Sequence, residues 1–134
     1  MTLDVAQIVR ETKTIAVVGA SANPARASNE VYRYLKSTGD YTVYPVNPTI
    51  SEIDGDQVYA SLADLPVVPD LVDVFRRREE LPAVLADVLA LPQLPKTLWL
   101  QLGLSDDEVA RDGEAAGLTV VMDRCLKVDH ARLG

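Results

Sequence analysis

The sequence holds little of the chemistry that disulfides, soft metals and histidine-based catalysis require. Its one cysteine, Cys125, cannot close a disulfide within the chain, and together with the one histidine, His130, it is too small a ligand set for a structural zinc site. No apolar run approaches the roughly 20 residues of a membrane-spanning helix. Residues 1–7 have neither the basic start nor the apolar run of a secretory signal, so a cytoplasmic protein is expected. Cations are also scarce. Thirteen Lys and Arg against twenty Asp and Glu leave a net charge of -7, a field that repels nucleic acid and anionic membrane as general partners. An anionic ligand must therefore meet positive groups concentrated in one place.

What is present reads as one α/β domain spanning residues 1–134. Hydrophobic residues make up 48% of the chain and charged residues 25%, a globular balance, with no internal repeat and no Gly/Ser linker to mark a boundary. Val5, Ile8 and Val9 share one face of a leading helix. The run from Thr14 to Val18 is apolar on both faces, as a central parallel strand requires, and ends at Gly19. A second helix is predicted from near Ser28, as its cap, to Gly39; a second strand covers residues 41–46, with Pro45 at a strand end or beside an unpaired edge. Residues 49–69 read as an irregular crossover with an Asp54-Gly55 turn and one minor strand. Further strands are predicted at residues 71–75, 97–100 and 118–122. They are separated by a helix carrying Leu81, Val84, Leu85, Val88 and Leu89 and by another opened by a Ser105/Glu108 capping box and closed by Gly117. The tail from Asp123 can form a last partial helix. Strands alternating with helices imply right-handed crossovers and a Rossmann-like, doubly wound parallel sheet of about five strands in three layers. Such sheets bind ligands outside the carboxyl ends of their strands, where the strand order reverses.

The turns after the strands are thus the candidate site. Gly19-Ala20-Ser21-Ala22-Asn23-Pro24 is small enough to bring backbone N–H groups to a phosphate, yet carries only the first glycine of a dinucleotide fingerprint, and an empty strand-to-helix turn fits it too. Arg26 can reach a phosphate from just beyond. Asn47 stands at the end of the second strand, where a nicotinamide-binding fold places an acid; Asp40 precedes that strand and belongs at the wrong end of the sheet. Arg76-Arg77-Arg78 lies near a helix start, where the macrodipole disfavours cations, so either Glu79 and Glu80 or a ligand phosphate must compensate. Gln101-Leu102-Gly103 supplies a second glycine turn.

Five ordered segments together, Ala16-Val17-Val18-Gly19-Ala20-Ser21, Tyr44-Pro45-Val46-Asn47-Pro48, Val72-Asp73-Val74-Phe75-Arg76-Arg77, Trp99-Leu100-Gln101-Leu102-Gly103 and Val121-Met122-Asp123-Arg124-Cys125, resemble the stand-alone coenzyme A-binding-domain proteins. These in turn resemble the CoA-binding half of the succinyl-CoA synthetase α subunit. The resemblance implies that Gly19, Ala20, Ser21 and Arg26 hold CoA phosphates, that Asn47 and Pro48 flank the nucleotide, and that Val74, Phe75, Arg76, Gln101, Leu102 and Gly103 line the rest of the groove.

No catalytic set accompanies these motifs. The synthetases use a histidine on a further domain, whereas His130 lies four residues from the C-terminus in a segment expected to be exposed. Ser21 has no base marked beside it, and Asp73 and Asp123 have no assignable partner. The expectation is a module that binds CoA or acyl-CoA without transforming it. A NAD(P)-binding oxidoreductase or redox sensor and a ligand-free interaction protein are the alternatives. Cys125, at the carboxyl edge after the last strand, reads either as a packing residue or as a thiol able to form a mixed disulfide with CoA.

Overall fold

The computed structural model describes residues 3–133. Strands β1 (Thr14–Val18), β2 (Thr42–Val46), β5 (Leu71–Val74), β6 (Thr97–Leu100) and β7 (Thr119–Val121) form a parallel sheet in the order β2-β1-β5-β6-β7. Helices α1 (Val5–Glu11), α2 (Ala27–Ser37) and α5 (Leu126–Ala131) cover one face; α3 (Leu81–Leu89) and α4 (Asp107–Ala116) cover the other. This is the Rossmann-like, three-layer fold expected from the sequence.

Alternation along each strand builds two cores. Ile15, Val17, Leu71, Trp99 and Val121 pack under α1, α2 and α5, while Ala16, Val72, Val74, Leu98, Leu100 and Val120 pack under α3 and α4. Burial on both faces is why these strands read as continuous apolar runs. Pro45 sits on the edge strand β2, where it needs no ladder donor, and its carbonyl accepts from the Tyr59 N–H at 3.0 Å.

Three local expectations are corrected. The crossover holds two short strands, β3 (Glu52–Ile53) and β4 (Asp56–Gln57), paired antiparallel about Asp54 and Gly55, whose φ values of 50° and 87° suit a tight hairpin turn. Ser28 does not cap α2: the N-cap is Arg26, which makes no side-chain cap bond, and Ser28 lies inside the first turn. The cap of α4 is Asp106, whose carboxylate accepts from the Glu108 and Val109 N–H groups, both at 3.1 Å. A carboxylate there also answers the positive end of the helix dipole, which the Ser105 hydroxyl would not. Gly117 closes α4 with φ 109°, as read. No helix among the described residues is long and apolar enough to cross a membrane.

Candidate functional site

The strand order reverses beside β1, and a cleft of about 770 Å³ opens there, over the carboxyl ends of the strands on the α2/α5 side. Its floor begins at Gly19. With φ +85°, and with a Cβ that would stand 2.0 Å from the Phe75 carbonyl oxygen, this position admits only glycine. The close approach is fixed from both sides: Phe75 donates to the Val18 carbonyl at 2.8 Å, and Gly19 and Ala20 both donate to the Val46 carbonyl, at 2.9 and 3.3 Å. The N–H groups of Gly19 and Ala20 are therefore spent within the fold. What the turn contributes to the cleft is space.

The donors stand slightly later in the chain. The N–H groups of Ser21, Ala27 and Ser28 have no acceptor among the described residues, and all three residues line the cleft. Two of them belong to the first turn of α2, an 11-residue helix without a side-chain cap, so its first N–H groups face the cleft, with Glu30 the one acid in that turn and itself bridged to a lysine. Arg26 lines the same wall and makes no ion pair among the described residues. The turn is braced from below: the Asn29 amide donates to the Ser21 carbonyl and the Asn47 amide to the Ala20 carbonyl, each at 2.8 Å. A backbone cradle beside an unpaired guanidinium is suited to phosphate.

Opposite this wall, Arg76 is paired with Glu80 at 3.1 Å, and Glu80 also faces Arg77 at 3.8 Å, so an internal carboxylate answers two of the three arginines. Lys127 of α5 bridges to Glu30 of α2 at 2.8 Å. The hydrogen bond and charge of each hold the Glu30 carboxyl below its ordinary range and the Lys127 ammonium above its own. Glu30 is well exposed and Lys127 partly so, which limits what the pair contributes to stability. Phe75, Leu104, Leu102 and Val128 make the cleft progressively apolar toward β7, where half-buried Cys125 lies on its lining.

Of the residues singled out in the sequence, Gly19, Ser21, Arg26, Asn47, Phe75, Arg76, Gln101 and Leu102 come together on this cleft. Ala20 and Val74 are fully buried, Val74 on the α3 face of the sheet. Pro48 borders a separate depression of about 180 Å³ on that other face. Gly103 turns the chain at φ 89° and donates to Asp123 Oδ1 at 2.7 Å, outside the lining. Two polar side chains are occupied by the fold itself. Asn47 Oδ1 accepts from the backbone and hydroxyl of Thr49, and Gln101 Oε1 accepts from the Leu126 N–H at the start of α5. Sequence reading missed Ser28, Glu30, Lys127 and Val128 as lining residues. Glu30 stands one turn beyond Ala27 on α2, a relation available in the sequence, but the packing of α5 against α1 and α2 was not.

His130 is not in a loose surface segment. At the amino edge of the sheet its Nδ1 is bonded to the Tyr34 hydroxyl and its Nε2 to Asp40, both at 2.8 Å, and it is not among the residues lining the cleft. Asp40 thus lies at the amino end, as its position before β2 implied. Asp73, one pleat below the cleft floor on the α2/α5 face, is completely buried with neither carboxylate oxygen bonded, and burial pushes its pKa well above the ordinary value. Burial without a partner disfavours the charged form of this carboxyl.

This geometry can be set against known proteins. YneT, an uncharacterized protein of Bacillus subtilis (strain 168), is 39% identical over 128 residues, covering 96% of this chain and 93% of that protein. A Thermus thermophilus structure superposes with a TM-score of 0.88 at 42% identity, covering 96% of this chain and 95% of that one. Over 57 residues, 42% of this chain but 12% of the relative, the sequence is 40% identical to the α subunit of an ADP-forming acetate–CoA ligase II from Pyrococcus furiosus. A family model described as CoA binding domain matches residues 13–131, a span that takes in every strand of the sheet and the whole cleft, and the chain belongs to that family.

Proposed function

We propose that this protein binds coenzyme A or an acyl-CoA in the carboxyl-edge cleft, as a module that holds or presents the cofactor without transforming it. The observation that carries this reading is the unspent donor set, the Ser21, Ala27 and Ser28 N–H groups beside the free Arg26, in a cleft belonging to a CoA-binding family. The residues fit the cofactor's parts. Phosphates suit the α2 start; four strand spacings of about 4.8 Å give an edge of ~19 Å for a long arm; and the apolar β6–β7 end suits a thiol rather than a charge. Bound CoA would supply its thiol at that end, and the chain's own residues would orient it.

Isothermal titration tests the proposal. CoA is expected to bind one to one, and NAD and NADP at least tenfold more weakly, since Asn47 offers no acid to the ribose and its side chain is already engaged. Absence of CoA binding, or equal affinity for NAD, contradicts it. The placement of the thiol has its own test in CoA disulfide. Attack by the Cys125 thiolate releases one CoA thiolate and leaves a mixed disulfide, adding one CoA to the intact mass, reversible by dithiothreitol and absent in Cys125→Ser.

A further inference from the structure

We propose an acyl subsite next to the cleft: the depression beyond Cys125, walled by Leu102 and Val128, takes the short, uncharged acyl chain of an acyl-CoA. This rests on the CoA reading above and extends it to the ligand's identity. The cleft does not end at Cys125. A second depression of about 240 Å³ lies beside it, and the two share Leu102, Cys125 and Val128 as a common rim, over which a chain leaving the thiol position would reach from one into the other.

Polarity sets the direction. Unspent donors and Arg26 lie at the β1 end, while Leu102, Leu104 and Val128 lie toward β7, where the one lining cation, Lys127, is paired with Glu30, so a ligand with phosphates at α2 brings its thiol to Cys125 and its acyl group into the depression. The walls suit a hydrocarbon. Leu102 is 69% exposed and Val128 43%, apolar surface that gains by being covered. The charges around them are largely answered within the fold: Arg124 makes two bonds to Asp129, at 2.9 and 2.7 Å, and Asp123 accepts from Gly103. Arg132 is the one lining cation without an ion pair among the described residues, and it makes a carboxylate-ended acyl group the competing occupant.

The experiment measures the affinities of CoA, acetyl-CoA, butyryl-CoA and succinyl-CoA for the full chain and for Val128→Ser and Leu102→Ser. Burying each further methylene should strengthen binding about fourfold, so butyryl-CoA should exceed acetyl-CoA by roughly tenfold or more. The butyryl-to-acetyl ratio should fall toward one in either variant. Because the ratio is the readout, a general loss of CoA affinity does not imitate the effect, and either variant suffices if the other fails to fold. CoA binding with no chain-length preference overturns the subsite and leaves the CoA reading standing. A preference for succinyl-CoA over butyryl-CoA overturns the uncharged occupant, and failure of every CoA species to bind overturns both readings.

Discussion

Two openings of similar size lie at opposite edges of the sheet, about 770 Å³ at the carboxyl edge and about 590 Å³ at the amino edge, and their polar groups are arranged in opposite ways. At the amino edge the imidazole and phenol groups satisfy one another, and the cations on the lining, Arg10 and Lys13, stand without an ion pair among the described residues and away from any helix start. His130 is held between Tyr34 and Asp40, the Tyr41 hydroxyl donates to the Val9 carbonyl at 2.9 Å, and burial, with the Asp40 charge second, pushes the Tyr41 pKa up to about 12. Two tyrosine rings close edge-on around the imidazole, with centroids 5.5 and 5.6 Å away. At the carboxyl edge the bracing groups are likewise spent, but the N–H groups at the α2 start and Arg26 are not. The lesson is that volume alone does not distinguish a site from a structural recess. Unspent donors at a helix start do.

The contrast can be broken first at Gly19. Gly19→Val places a side chain against the Phe75 carbonyl at positive φ, and should destabilise the protein by on the order of 3–5 kcal/mol in urea unfolding. A near-native midpoint would mean that the β1 and β5 ends are not locked together as described. This substitution therefore cannot isolate ligand contacts, a task that falls to Arg26. Arg26→Ala should weaken CoA binding by about 1.5–3 kcal/mol with little change in stability, whereas Arg10→Ala, on the amino-edge cavity, should leave affinity unchanged. Equal effects of the two substitutions would erase the distinction between the edges.

Asp73 sharpens the comparison through pH. Burial raises its folded pKa above the ordinary 3.8, so the folded protein keeps a proton that the unfolded chain has shed. This acid's contribution to stability is then present in full below 3.8 and falls as pH rises toward the folded pKa, at about 1.4 kcal/mol per pH unit. Asp73→Asn has no proton to lose. Its stability relative to the parent should increase from pH 4 upward, and a pH-independent difference in denaturation midpoints would show that Asp73 has an unseen partner. The smallest effect belongs to the amino edge. His130→Ala removes two hydrogen bonds and should cost about 1–2 kcal/mol of stability while CoA affinity stays within twofold.

Much of this arrangement was legible in the sequence because it follows from periodicity and turn chemistry. The buried strands appear as apolar runs, Gly19 and Gly117 mark turns that need positive φ, and Pro45 points to an edge strand. The caps were less legible: Ser28 and Ser105 have the right chemistry but stand two and one residues from the positions that cap, and only the backbone path decides between neighbours. The site was read through its turns, so residues presented by helix faces escaped. Lys127 and Val128 reach the cleft because α5 folds back against α1 and α2 and is pinned by Gln101, a long-range packing decision with no local signal. His130 was misjudged for the same reason, its partners Tyr34 and Asp40 lying 96 and 90 residues away in the chain.

The most direct test follows backbone amide resonances during titration with CoA. The account predicts that the N–H signals of Ser21, Ala27 and Ser28 move most, with changes extending to Leu102 and Cys125, while those of Lys13, Asp40, Tyr41 and His130 stay in place. Shifts centred on the His130 cavity, or saturable binding that leaves the start of α2 unperturbed, would contradict it.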